Sequence, residues 1–304
     1  MRARLTAAVA LAALLACGAA QAQPAPAAPA TPQPVVNVTN VGASINITPK
    51  RVTFDKTRRN ATVFILNQGE TPITVDVALI DRLMRPDGQI IPLEQAQAQA
   101  DTADAAKLVL SAKDLVQISP RRVLLAPGKG QNIRLRLSAL PEGSAEHRSH
   151  LTVTTIPPRD SGTTAEQAAN GPGQKELRFQ INAVYGISIP VIVRPDAPQV
   201  SAQITNLRLE HVADATGKST PVLALDVART GVNSLYGNFE VRPEGGKRDA
   251  DPIGLAKGIG VYPEIDRRVV RIPLSREPKT GEKLEVTFTD DDTSPGKVLA
   301  KATL

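Results

Sequence analysis

Ile133-Arg134-Leu135-Arg136-Leu137 sets apolar and cationic side chains on alternate positions, and the turn-forming string Ala126-Pro127-Gly128-Lys129-Gly130 stands just before it. A period of two marks a strand with one face on a core and the other in water. The pattern recurs upstream in Ile73/Val75/Val77/Leu79 and downstream in Leu177/Phe179/Ile181/Ala183, with Arg178 and Gln180 between. It returns in Leu223/Leu225/Val227, Val270/Ile272/Leu274 and Leu284/Val286/Phe288. Such strands, bounded by Gly, Pro, Asn and Asp with no helices between them, predict antiparallel β-sandwiches. One stretch, Leu93 to Ala106, is rich in Gln and Ala and reads as a helix without an apolar face, a surface insertion.

The N-terminus predicts export. Arg2 and Arg4 precede an apolar run from Leu5 to Ala16, and Ala20-Gln21-Ala22 follows as a cleavage site. That run is shorter than the roughly 20 residues a membrane span needs, so no inner-membrane helix is expected. Leu14-Leu15-Ala16-Cys17 resembles a lipobox and supplies the competing reading, a chain lipidated at Cys17. Cleavage after Ala22 would release a periplasmic protein without its single cysteine, and hence without a disulfide or a thiolate metal ligand.

Residues 23–40 read as a Pro/Ala-rich leader. The rest exceeds the usual single-core size, and Pro195-Asp196-Ala197-Pro198 marks a break, which predicts domains over residues 41–196 and 197–304. Pro157 to Gln174 reads as a long mobile loop. The formal charge of +6 falls to +4 once Arg2 and Arg4 are removed. Export, this modest charge and the few aromatics for stacking argue against a nucleic-acid partner.

Enzyme signatures fail on spacing. Gly186-Ile187-Ser188-Ile189-Pro190 places Pro where a nucleophile elbow needs Gly, and Gly128-Lys129-Gly130 is too short for a phosphate loop. His147 and His150 fall on opposite faces of a strand, and Asp290-Asp291-Asp292 lacks the Gly and Glu of a calcium loop. Neither a metal nor another cofactor is expected, and no catalytic constellation emerges.

Ile47-Thr48-Pro49-Lys50-Arg51-Val52-Thr53-Phe54-Asp55, followed by Ala61 to Asn67 and Pro72, resembles the opening strands of the periplasmic pilus chaperones of the chaperone-usher pathway. The resemblance runs on through Ile118-Ser119-Pro120-Arg121-Arg122, Leu125 to Gln131, Arg148-Ser149-His150-Leu151, and Tyr185 to Arg194-Pro195. The Arg148-Ser149-His150 string is closest to the divergent, archaic-type members. The second domain is similar more loosely, through its strands and Gly260-Val261-Tyr262-Pro263.

The resemblance implies an all-β fold of two immunoglobulin-like β-sandwich domains set at an angle. It implies a periplasmic chaperone that binds pilus subunits by donating a β-strand and delivers them for assembly, with an outer-membrane usher as the next partner. The donor strand would be Lys175 to Tyr185, inserting Leu177, Phe179, Ile181 and Ala183; by their pattern alone, those side chains would more often fill the protein's own core. The resemblance also implies a pair of cations holding the subunit's terminal carboxylate. Arg51 falls at the first position, Pro190 at the second, and Arg148 either supplies the missing charge or is a surface arginine. Arg194 would lie at the domain junction. The competing function is an exported structural or adhesive module that displays loops and donates no strand.

Overall fold

The structure is a computed structural model that describes residues 36–39, 45–157, 179–182, 184–213, 217, 219–246 and 251–304. The signal segment, Cys17, residues 158–174 of the expected loop, Leu177 and Ala183 lie outside the described residues. The fold is almost entirely β.

The first half of the chain contributes β1 (Val36–Thr39), β2 (Ile45–Thr48), β3 (Val52–Phe54), β4 (Asn60–Asn67), β5 (Ile73–Ile80), β6 (Arg82–Met84) and β7 (Ile90–Pro92). Two short helices follow, α1 (Leu93–Ala98) and α2 (Ala103–Lys107). Then come β8 (Val116–Ser119), β9 (Arg122–Leu125), β10 (Gly130–Leu137), β11 (His147–Ile156), β12 (Phe179–Asn182) and β13 (Gly186–Val193).

Two sheets, ordered β2-β4-β10-β8 and β3-β13-β11-β5-β9, face each other as an immunoglobulin-like sandwich. Ile133, Leu135 and Leu137 point into its core while Arg134 and Arg136 face out. Each such burial contributes about 1.5–3 kcal/mol, so a one-residue slip of β10 would forfeit the set. The chain changes sheet between β2 and β3 at the cis bond Thr48-Pro49, and between β8 and β9 at Ser119-Pro120. The turn before β10 is tight but not a hairpin, because it joins β9 and β10 of opposite sheets; Gly128 sits at φ +66° and donates its N–H to the Asn67 carbonyl.

The second sandwich comprises β14 (Ala202–Ala213), β15 (Ser219–Arg229), β16 (Leu235–Pro243), β17 (Gly254–Val261), β18 (Arg267–Pro273), β19 (Leu284–Asp290) and β20 (Val298–Thr303). Its sheets run β14-β15-β18 and β17-β16-β19-β20. Phe239 and Phe288 stack at 4.4 Å in its centre, contributing large apolar area to a chain poor in aromatics.

The segment after β5 departs from the sequence-based expectation. Leu93 to Ala106 is two helical turns with a break between them, and it buries Ala96 and Ala106 against Leu83 and Ile91 in a small core of its own. It therefore carries an apolar face, a narrow one made of alanines. The β6–β7 hairpin before it turns at Asp87-Gly88, with Gly88 at φ +88°, where a Cβ would meet the Arg268 guanidinium within 2.6 Å. Met84 and Ile90 of this hairpin pack in the core of the second sandwich. The Val269 N–H donates to the Pro86 carbonyl at 2.7 Å. A piece of the first half thus completes the interior of the second.

Candidate functional site

Strand β11 positions the chemistry. Its odd residues Leu151 and Val153 face the first core, so alternation turns Arg148, His150 and Thr152 to the opposite face. That face is buried too, because the hairpin and Tyr262 of the second sandwich cover its first half. Arg148 is 4% exposed. Its guanidinium meets both oxygens of Glu264 at 2.7 and 2.9 Å, donates to the Arg82 carbonyl at 2.8 Å, and lies 3.7 Å over the Tyr262 ring. Glu264 also accepts the Met84 N–H. Burial works to lower the Arg148 pKa, and the Glu264 carboxylate more than reverses it, so the guanidinium stays charged.

A second cluster lies at the same junction. Arg51, immediately before β3, donates to Ser234 Oγ at 3.1 Å and to Asp292 at 3.0 Å, and stands 4.8 Å over the Tyr236 ring. Arg194, immediately after β13, shares that Asp292 oxygen at 2.9 Å and donates to Glu146 at 2.8 Å and to Ser234 Oγ at 3.0 Å. Two guanidiniums and two carboxylates from both domains thus neutralise one another. Arg51 nevertheless keeps two N–H groups, Nε and Nη1, sealed from solvent without a hydrogen-bond partner.

Between the hairpin, β13 and Tyr262 lies a cavity of about 300 Å³ lined by Arg82, Ile90, His150, Ser188, Pro190 and Tyr262. The Ser188 hydroxyl is 2.8 Å from that of Thr152. His150 packs edge-on to Tyr262 at 6.1 Å, and burial, followed by the charges of Arg148, Arg82 and Arg51, pushes its pKa well below the ordinary histidine value. Its ring is neutral at physiological pH.

The residues singled out from the sequence are thus distributed. Arg51 and Arg194 share one cluster, and Arg148 belongs to the other. The surface reading of Arg148 is overturned by its burial, and its Glu264 and Arg82 contacts leave only Nε without a partner. Asp290 caps the turn after β19, while Asp292 two residues on reaches back to both arginines, a role its string did not disclose. Glu146, Ser234 and Glu264 were missed as well. Asp87-Gly88 between apolar pairs was the available signal for the hairpin that carries Arg82.

Of the expected donor segment, Phe179 to Asn182 forms β12, which pairs in parallel only with β1, Val36 opposite Phe179 and Thr39 opposite Asn182. The β11–β13 ladder stops at Gly186, with one further backbone hydrogen bond from the Thr155 N–H to the Tyr185 carbonyl and the Tyr185 N–H donated to Thr155 Oγ1. Strand β12 therefore lies beyond both sheets of the sandwich. Among the described residues no group of His, Cys, Asp and Glu is disposed to hold a metal, and no helix is long and apolar enough to cross a membrane.

No protein-family model matches the chain, and no curated protein does. Among solved structures it is similar to the YadV chaperone, at 16% identity and a TM-score of 0.42, over 86% of this chain and 100% of that one. The E. coli chaperone DraB gives 12% and 0.43, over 90% and 98%. A chain of the CsuC–CsuE chaperone–tip adhesion subunit pre-assembly complex, from the archaic chaperone-usher Csu pili of Acinetobacter baumannii, gives 11% and 0.40, over 86% and 96%.

Proposed function

We propose that this protein is a periplasmic chaperone of the pilus-assembly class, which holds an exported subunit by adding a strand to it and passes it to an outer-membrane usher. It binds and does not catalyse. The observation that carries the reading is the position of β12. An alternating segment continues from β13 past the end of both sheets, and β1, four residues long, is its one partner among the described residues. A strand so placed offers backbone N–H and C=O groups to another chain's open edge. The ordered motifs from Ile47 to Arg194 support the same reading, as does Arg51 at the junction with two N–H groups unsatisfied.

In this reading Phe179, Ile181 and Leu177 enter the subunit, and each burial contributes about 1.5–3 kcal/mol, together much of a micromolar affinity. Arg51 is the cation assigned to the subunit's terminal carboxylate, which it reaches once its contact with Asp292 opens, because its spare donors are sealed in the free chain. Co-expression with a small exported β-rich protein encoded beside this chain tests it. The unaltered chain should copurify one-to-one with that protein, while Ile181→Lys should stay folded and lose it. A folded Ile181→Lys that still carries the subunit refutes strand donation, and an unfolded one returns these residues to the protein's own core.

A further inference from the structure

We infer that β1 is an intramolecular cap on the donor segment, a strand of this chain that occupies an edge of β12 in the free protein and yields it to an entering strand of the subunit. What enters rests on the proposed function; what is covered rests on β1 and β12 alone. The sequence matches the two strands position by position. Val36 stands opposite Phe179 and Val38 opposite Ile181, while Asn37 stands opposite Gln180 and Thr39 opposite Asn182. Apolar is paired with apolar and polar with polar, and a slip of one residue would mismatch every pair that remained. Val36 and Val38 thus hold, in register, the positions opposite residues proposed for donation.

The pairing is also built to be left. β1 and β12 form a sheet of two strands, paired with no strand of either sandwich. An isolated two-stranded ribbon is marginally stable in water, and parallel pairing is weaker per residue than antiparallel. Residues 40–44, Gly42 among them, lead from β1 to β2, whose ladder on β4 begins at Ile45. Release of β1 from β12 therefore undoes no pairing of the sandwich.

The short tether keeps β1 at high effective concentration, so a weak strand suffices to cover the edge while no subunit is present. A donor strand left uncovered is a template for any passing strand and hence for aggregation. A subunit displaces the cap because it brings its own sheet, which the lone β1 lacks. Its apparent affinity is scaled by the fraction of chains in which β1 has let go.

The test begins without a subunit. In the full exported chain, Asn37→Pro together with Val38→Pro removes the backbone donors at adjacent positions, whichever of them serves the ladder. Amide exchange at Phe179 to Asn182 should then quicken severalfold at an unchanged thermal transition, and equal exchange in the two chains overturns the cap. A second variant, Asn37→Cys with Gln180→Cys, joins the strands at a polar pair outside the set proposed for donation. Oxidised, it should capture the small exported β-rich protein about tenfold more weakly than the same sample reduced with dithiothreitol, and the proline variant should capture it about threefold more tightly than the unaltered chain. Equal capture by the oxidised and reduced samples, or equal or weaker capture by the proline variant, means that β1 stays beside β12 in the complex and overturns the displacement. Failure of the unaltered and reduced chains alike to capture that protein refutes the proposed function, and the exchange rates still decide whether β1 covers β12.

Discussion

Arg148 and Arg82 touch, since the guanidinium of one donates to the carbonyl of the other, yet their side chains live in opposite circumstances. Arg148 has its charge answered by Glu264 and its face covered by Tyr262. Arg82 has no answering carboxylate among the described residues, and a cavity lies before it. The difference separates architecture from binding. A buried pair with its hydrogen bonds made fixes two sandwiches together, and removing one partner strands the other. A half-buried cation without a partner adds little to the folded state and is available to something else.

The contrast is sharpest for Glu264. Glu264→Ala leaves Arg148 charged and buried and orphans the Met84 N–H, so a loss of about 3–5 kcal/mol is expected, read as a fall in the urea midpoint and thermal transition. A loss under about 1 kcal/mol would show that the pair adds no more than a surface one. Asp292→Ala comes next, at roughly 1.5–3 kcal/mol, because Arg194 retains Glu146 while Arg51 keeps only Ser234. A thermal melt of this variant beside Glu264→Ala ranks the two clusters, and the reverse order would break the comparison.

His150 gives an intermediate effect that depends on pH. Its folded pKa is depressed, so below the unfolded value of about 6.5 the unfolded chain takes up a proton that the folded chain refuses. Stability should therefore be fully present above that pH and decline as pH falls, by at most about 1.4 kcal/mol per unit. Urea midpoints at neutral and mildly acidic pH should show the slope, and His150→Gln should flatten it. An unchanged slope would place His150 in a wetter setting than its burial indicates. The smallest effect belongs to Arg82→Gln, whose stability should stay within about 0.5 kcal/mol of the parent because no partner is lost. A large fall in its melting temperature would mean that Arg82 is structural after all.

The sheets were legible because alternation is local. Ile133/Leu135/Leu137 and Leu284/Val286/Phe288 declare their buried faces without reference to anything distant, and Pro127-Gly128 declares its turn. The junction was legible only in half. Arg51, Arg148 and Arg194 could be singled out as cations, but two of the acids that hold them, Glu264 and Asp292, are set by how two sandwiches meet. Glu264 lies 116 positions from Arg148, and Asp292 lies 98 from Arg194. The helical stretch was misread for a related reason: an alanine face is too slight to show against Gln and Ala, and it buries only because Leu83 and Ile91 lie beneath it.

The β6–β7 hairpin has one further consequence, for the order in which the molecule is made. Met84 packs within, and Ile90 against, the core of a sandwich whose first strand begins at Ala202, so the N-terminal sandwich leaves synthesis with this apolar tip uncovered. The C-terminal sandwich, produced alone, would have a hole where that tip belongs. Folding in chain order would have the first half present a template and the second condense around it, and the finished halves should melt in one transition rather than two.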